Sequence, residues 1–112
     1  MAEPKEILEK VYEAVELARK TGKIRKGTNE VIKAIERGEA KLVVAAEDVN
    51  PPEIIMPLKP LCKEKGVLYL GVPSKEELGA AAGLQLATAS IAITKEGDAK
   101  DIIKTLTNPK GE

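Results

Sequence analysis

The stretch Gly27-Thr28-Asn29-Glu30-Val31-Ile32-Lys33 sets an amide, a carboxylate and an ammonium at spacings that a helix turns to one side. With Thr28 as N-cap, Asn29 and Glu30 fall on the first turn and Lys33 one turn further along the same side. Donor, acceptor and cation then point outward together, which makes a binding surface and not a catalytic one. Residues 19–33 carry Arg19, Lys20, Lys23, Arg25, Lys26 and Lys33 against Glu30 alone, a net of +5 in a chain whose total is zero. Charge segregated in this way marks a face.

Catalytic chemistry finds little support. The chain has no histidine, which removes the commonest general base and metal ligand, and its one cysteine, Cys62, cannot close an internal disulfide. Zinc sites and histidine-based triads are excluded, and Cys62, in an apolar helix with nothing to activate it, reads as a packing residue. Glu47-Asp48 might suggest paired acids, but no nucleophile or metal-binding partner stands near them, so they read as a solvated strand end. With no glycine-rich phosphate loop either, the expectation is no catalytic residue, no metal and no cofactor.

A second feature is a hole in the charge pattern. From Gly79 to Thr94 there is no charged residue, in a chain that is 32% charged. Leu84-Gln85-Leu86 sits in this gap just after Gly83. Those leucines either fold back onto the core or form an apolar lip able to pack on a splayed-out nucleobase. The only aromatics are Tyr12 and Tyr69, so a ring-based stacking platform for single strands is excluded.

The elements that must hold these residues alternate along the chain. Pro4 opens a helix over 4–20 with apolar residues at the helical period, ended by Thr21-Gly22. A short basic link, Lys23 to Lys26, leads to a second helix over 28–37. Lys41 to Ala46 is an apolar, valine-rich run that reads as a central strand buried on both faces. Pro51-Pro52 opens a helix running to Glu64, which Pro57 and Pro60 must kink or interrupt. Val67 to Val72 is another buried strand. Ser74 with Glu77 makes a capping box for a helix over 75–82, closed by Gly83 in a left-handed conformation. Ser90 to Thr94 is a strand, and Asp98 caps a last helix to about Leu106. At 112 residues and 43% hydrophobic this is one domain around one core. The pattern predicts a three-layer α/β/α sandwich on a small, mixed, largely parallel four-stranded sheet. No apolar run reaches the length of a membrane span, and Met1-Ala2-Glu3-Pro4 has no basic n-region, so a cytoplasmic protein is expected. Lys and Glu supply 30 of the 36 charged residues, with three Asn and one Gln, a balance leaning toward proteins that work hot.

Taken in order, Gly27-Thr28-Asn29-Glu30-x-x-Lys33, Ala34 to Asp48, Pro51 to Ile54, Leu61-Cys62, Tyr69, Ser74-Lys75, Leu78-Gly79-x-Ala81-Ala82-Gly83 and Ala89-Ser90-x-Ala92-Ile93 carry a resemblance. The chain resembles, from about residue 6 to 104, the kink-turn RNA-binding family of the archaeal ribosomal protein L-seven-Ae. The resemblance implies that the start of the second helix enters the major groove of a kink-turn, where tandem sheared G·A pairs lie beside a three-nucleotide bulge. It assigns Asn29, Glu30 and Lys33 to guanine edges, Lys33 toward carbonyl and ring-nitrogen acceptors and Glu30 toward amino or imino donors. Gly27, Thr28 and the helix amides then favour a phosphate, and Arg25, Lys26 and Arg37 supply backbone contacts. Ile54, Lys75 and the tip Leu84-Gln85-Leu86 match the family's clamp on the flipped bulge nucleotide. The partners implied are kink-turns in ribosomal RNA and in box C/D and H/ACA guide RNAs, together with other guide-particle proteins, for a chain that is monomeric when free.

Taken singly, these residues have plainer readings: Glu30 complements the helix dipole, Asn29 is a capping alternative and Lys33 is a solvated lysine. Two other functions compete, a paralogue serving one particle only and a protein-interaction scaffold. The chain also departs from the family pattern. It starts almost on the first helix, where family members often begin with a further extended segment, its last helix is expected to end early at Asn108-Pro109, and it has Gln85 where an acid is common in archaeal relatives.

Overall fold

The structure, a computed structural model, describes residues 4–107; Met1-Ala2-Glu3 and Asn108-Pro109 lie outside the described residues. Five helices, α1 (Pro4–Thr21), α2 (Thr28–Glu36), α3 (Leu58–Lys65), α4 (Lys75–Ala81) and α5 (Lys100–Thr107), surround four strands, β1 (Lys23–Lys26), β2 (Leu42–Ala46), β3 (Leu68–Val72) and β4 (Ser90–Lys95). The strands form one sheet in the order β1-β4-β2-β3. One core cluster joins α1, α4 and α5 to Leu42, Val44, Ala46, Ile91 and Ile93. The other joins α2 and α3 to Val43, Ala45 and Ala92. Successive strand residues face opposite sides, so β2 and the Ile91-Ala92-Ile93 stretch of β4 feed both clusters in alternation and are apolar without interruption. This is the expected sandwich with a mixed four-stranded sheet.

The proportion of parallel pairing differs from expectation. β2 pairs with β3 in parallel, whereas β4 runs antiparallel to both β1 and β2. Helical crossovers from β1 to β2 and from β2 to β3 do make those three strands run the same way. β4 then inserts between β1 and β2 in the opposite sense, so only one ladder of three is parallel. The residues read as a basic link are β1 itself. Its exposed Lys23, Arg25 and Lys26 hide the strand, and half-buried Ile24 alone turns toward the larger core.

Two further expectations change. The helix expected from Pro51 to Glu64 is interrupted and not kinked: a cis Asn50-Pro51 peptide leads into a short 3-10 helix, Pro52–Ile54, and α3 starts afresh after Pro57. Pro60 then sits in the first turn of α3, where a missing amide donor costs no helical bond. Asp98 lies inside a second 3-10 helix, Gly97–Ala99, that runs directly into α5 at Lys100, so it does not occupy the cap position of α5; its amide donates to Thr21 Oγ1 at 2.8 Å. The Ser74 cap is present, with Glu77 N–H donating to Ser74 Oγ at 3.1 Å, and Gly83 has φ 76°.

Burial also governs the alkaline limit of stability. Burial pushes the Cys62 thiol up to about 11. Burial, then the hydrogen bond to Glu77 and its charge, pushes Tyr12 up to about 12, and burial raises Tyr69 as well. Each group is neutral when protonated, so the folded chain holds protons that the unfolded chain has already released. Stability is therefore full below the unfolded pKa values and is lost as pH rises through the folded ones. With no histidine to titrate, the urea midpoint is expected to stay level from about pH 6 to 8.5 and to fall from about pH 9.5 upward.

Candidate functional site

At one end of the sheet β1, β2 and β3 finish and β4 begins, with Ala45 opposite Ser90 and Ala46 opposite Val72. The start of α2 meets this end. Gly27 occupies the cap position with φ 91° and ψ 145°, a conformation that strains any residue with a side chain. Its carbonyl accepts the Val31 amide at 2.9 Å, and its own amide donates to Ser90 O at 3.1 Å. Thr28 is thus the first helical residue and not the N-cap. Its hydroxyl is engaged elsewhere, 3.2 Å from Ser90 Oγ in β4. No side chain caps the helix, and the opening amides remain for a ligand.

Asn29, Glu30 and Lys33 are all exposed on the outer side of this first stretch, while Val31, Ala34 and Ile35 turn into the smaller core. Lys33 Nζ lies 3.4 Å from Glu30 Oε2, an exposed pair of the kind worth a few tenths of a kcal/mol. Arg25 and Lys26 stand exposed on β1, immediately before the helix. Arg37 is at the far end of α2, as its C-cap, one turn beyond Lys33 on the same side.

The tip residues share the same end of the sheet. After Gly83 the chain runs back along α4: Leu84 N–H donates to Gly79 O at 2.9 Å and Thr88 N–H to Lys75 O at 3.1 Å. Gly79 is required by this approach, because a Cβ there would strike the backbone carbonyl of Leu86. Leu86 is 79% exposed, Gln85 is exposed, and Leu84 is half-buried against the larger core. The apolar lip and the core reading each describe one of the two leucines. An open depression of about 440 Å³ lies beside them, lined by Glu76, Ala80, Leu84, Gln85, Leu86 and Ala87. The charge-free stretch therefore has two causes, the wholly buried first half of β4 and this exposed tip.

Lys75 is half-buried, and its amide donates to Asp48 Oδ1 at 2.9 Å. Asp48, read from sequence as solvent-facing, is exposed but also ties the end of β2 to the start of α4. Ile54, on the 3-10 helix that follows β2, is 39% exposed, and its neighbour Met56 is 62% exposed. Thr88 Oγ1 donates to Ser90 O at 3.3 Å, so the tip and the start of α2 are both bonded to one buried residue. Among the described residues no cluster of His, Cys, Asp or Glu is arranged to hold a metal, and no helix is long and apolar enough to cross a membrane.

The helix start and the loop tip are thus joined through the first residue of a central strand, at one end of the sheet. The model of the ribosomal protein L7Ae/L30e/S12e/Gadd45 family matches residues 9–103. The chain belongs to this family. It is also similar to a solved structure described as the Giardia lamblia 15.5kD RNA binding protein, at 29% identity and a TM-score of 0.88, covering 97% of this chain and 89% of that one. Within the family fold, sequence reading of this chain missed Ser90, Thr88, Asp48 and Gly79 as the residues that position the others. Ser90 and Thr88 left a faint trace, as the only hydroxyl residues between Gly79 and the last positions of β4. The contacts of Asp48 and Gly79 join residues distant in the chain and left none.

Proposed function

We propose that this chain binds structured RNA and recognises kink-turns, serving in the large ribosomal subunit and in archaeal box C/D and H/ACA guide particles with those particles' other proteins. In this reading it is a cytoplasmic protein, monomeric until it assembles. The observation that carries the proposal is the bonded chain Thr28–Ser90–Thr88–Lys75, which ties the start of α2 and the apolar tip to one edge. A ligand that offers polar base edges in an opened groove and an extruded nucleotide beside it suits both halves at once. Membership of the family and the likeness to a protein described as RNA-binding support the same reading.

The roles follow from side-chain chemistry. Lys33 donates to guanine O6 and N7, Glu30 accepts from guanine amino or imino groups, and Asn29 can do either. The uncapped amides at the start of α2, from Thr28 to Glu30, receive a phosphate that Gly27, without a side chain, lets approach, and Arg25, Lys26 and Arg37 hold the backbone. Leu86 and Gln85, with Leu84 behind them, close on the extruded base, and Ile54 and Lys75 complete the clamp.

Gel-shift titration against a kink-turn, the same RNA with its G·A pairs changed to Watson–Crick pairs, a single strand and a plain duplex tests the proposal. The unaltered kink-turn is expected to bind at least about a hundredfold more tightly than the other three, the scale of two lost base-edge contacts. Equal affinity for the kink-turn and its paired variant refutes kink-turn recognition.

A further inference from the structure

The opposite end of the sheet carries a concentration of charge that the kink-turn reading uses only through Arg25. Lys23, Arg25, Lys41 and Lys95, with Glu39 and Thr94, line an open depression of about 320 Å³. Thr94 Oγ1 donates to Lys23 O at 3.3 Å, and Lys41 N–H donates to Ile93 O, which brings the starts of β1 and β2 against the end of β4. Lys23 stands directly opposite Lys95 across the antiparallel ladder. Like charges so placed repel and destabilise the pairing. The ion pairs among the described residues join Lys20 to Glu16 and Lys33 to Glu30, so none neutralises this group. Four cations facing one carboxylate, in a chain of zero net charge, make a local site for a polyanion.

We propose that this depression is a second phosphate-binding station, which holds the backbone of a duplex arm of the same RNA whose kink engages α2. The inference rests on the RNA-binding reading above. Continuity favours RNA over an acidic protein segment: Lys26, Arg25 and Lys23 run along the exposed strand β1 from the start of α2 into the depression. α2 turns back along the same path, and its nine residues span roughly 13 Å at about 1.5 Å each. A helical arm leaving the kink reaches the station after about four to five base pairs. The arm's phosphates relieve the Lys23–Lys95 repulsion, and the station reads no sequence.

The test uses the full chain and a kink-turn RNA with eight base pairs in each arm. In modified RNAs, neutral methylphosphonate linkages replace the phosphates four to six pairs from the kink, in one arm at a time. The variants are Lys41→Gln combined with Lys95→Gln, and Glu39→Gln alone, none of which touches the kink-reading residues. The double variant is expected to bind the all-phosphate RNA about tenfold more weakly, with a salt slope shallower by about one to two, and Glu39→Gln is expected to bind it more tightly. Methylphosphonates in one arm should weaken the unaltered protein by a similar factor and the double variant hardly further. Unchanged affinity in the double variant, or losses that add fully in both arms, overturns the station. That result is distinct from failure of the parent reading, in which the unaltered protein does not separate the kink-turn from its Watson–Crick variant. Lys41→Arg with Lys95→Arg, which keeps the charge, should bind as the unaltered protein does.

Discussion

Glu30→Ala and Lys33→Ala are each expected to weaken kink-turn binding by about 1 to 3 kcal/mol, roughly fivefold to more than a hundredfold, while moving the melting temperature very little. Both side chains are exposed and lie 3.4 Å apart, so in the free protein their mutual contact is a surface ion pair worth a few tenths. In the complex each would face a guanine edge in a groove with less water, where an unmade hydrogen bond costs far more. Isothermal titration and thermal melting on the same samples separate the two roles. Unchanged affinity with a small loss of stability would show that Glu30 serves only the helix dipole. The double variant adds a further check, because each single change also frees its partner from the pair. If both residues read bases, the combined loss should fall slightly short of the sum of the two.

Leu84→Ser and Leu86→Ser are expected to separate stability from binding. Leu86, 79% exposed, has little to lose in the free protein, so its melting temperature should not move measurably. Its affinity for a kink-turn should drop by about 1 to 2 kcal/mol, the value of covering most of a leucine side chain. Leu84 is half-buried against the core cluster of α1, α4 and α5. Replacing it should cost about 1 to 2 kcal/mol of stability, several degrees in a domain of this size, with a loss of affinity through the displaced tip. A kink-turn lacking the extruded nucleotide should be insensitive to the Leu86 change. If Leu86→Ser binds both RNAs as the unaltered protein does, the tip is not a clamp.

What could be read from the sequence was whatever a single element declares about itself. The uninterrupted apolar run 42–46 announced an inner strand, Ser74 and Glu77 announced a helix start, and the polar positions 29, 30 and 33 announced an outward face. What escaped were facts that join two elements. Charge along Lys23-Ile24-Arg25-Lys26 looks like a linker until β4 is seen to pair with it, and nothing local to β4 states that it will slip between β1 and β2. Thr28 looks like a cap because threonine caps helices, and only the fold brings Ser90 to its hydroxyl from 62 residues away. Gly79 looks like a flaw inside α4 until Leu86 is laid against it. Positioning residues are for this reason harder to find than contact residues: their chemistry is ordinary and their partners are remote.

The place of β1 at the rim of the sheet bears on how variants of this protein behave in the tube. Among the described residues it has β4 on one side and no strand on the other, so that side is a template on which a strand from a second molecule could dock. Lysine and arginine at three of its four positions make such docking repulsive between copies. The charges that would attract a nucleic-acid backbone thus also keep the molecules apart. Apolar or β-branched replacements at Lys23, Arg25 and Lys26, chosen to abolish binding, would at the same time raise β-propensity on an unguarded rim and favour edge-to-edge aggregation. Glutamine or glutamate replacements weaken the attraction to phosphate without building that adhesive strand.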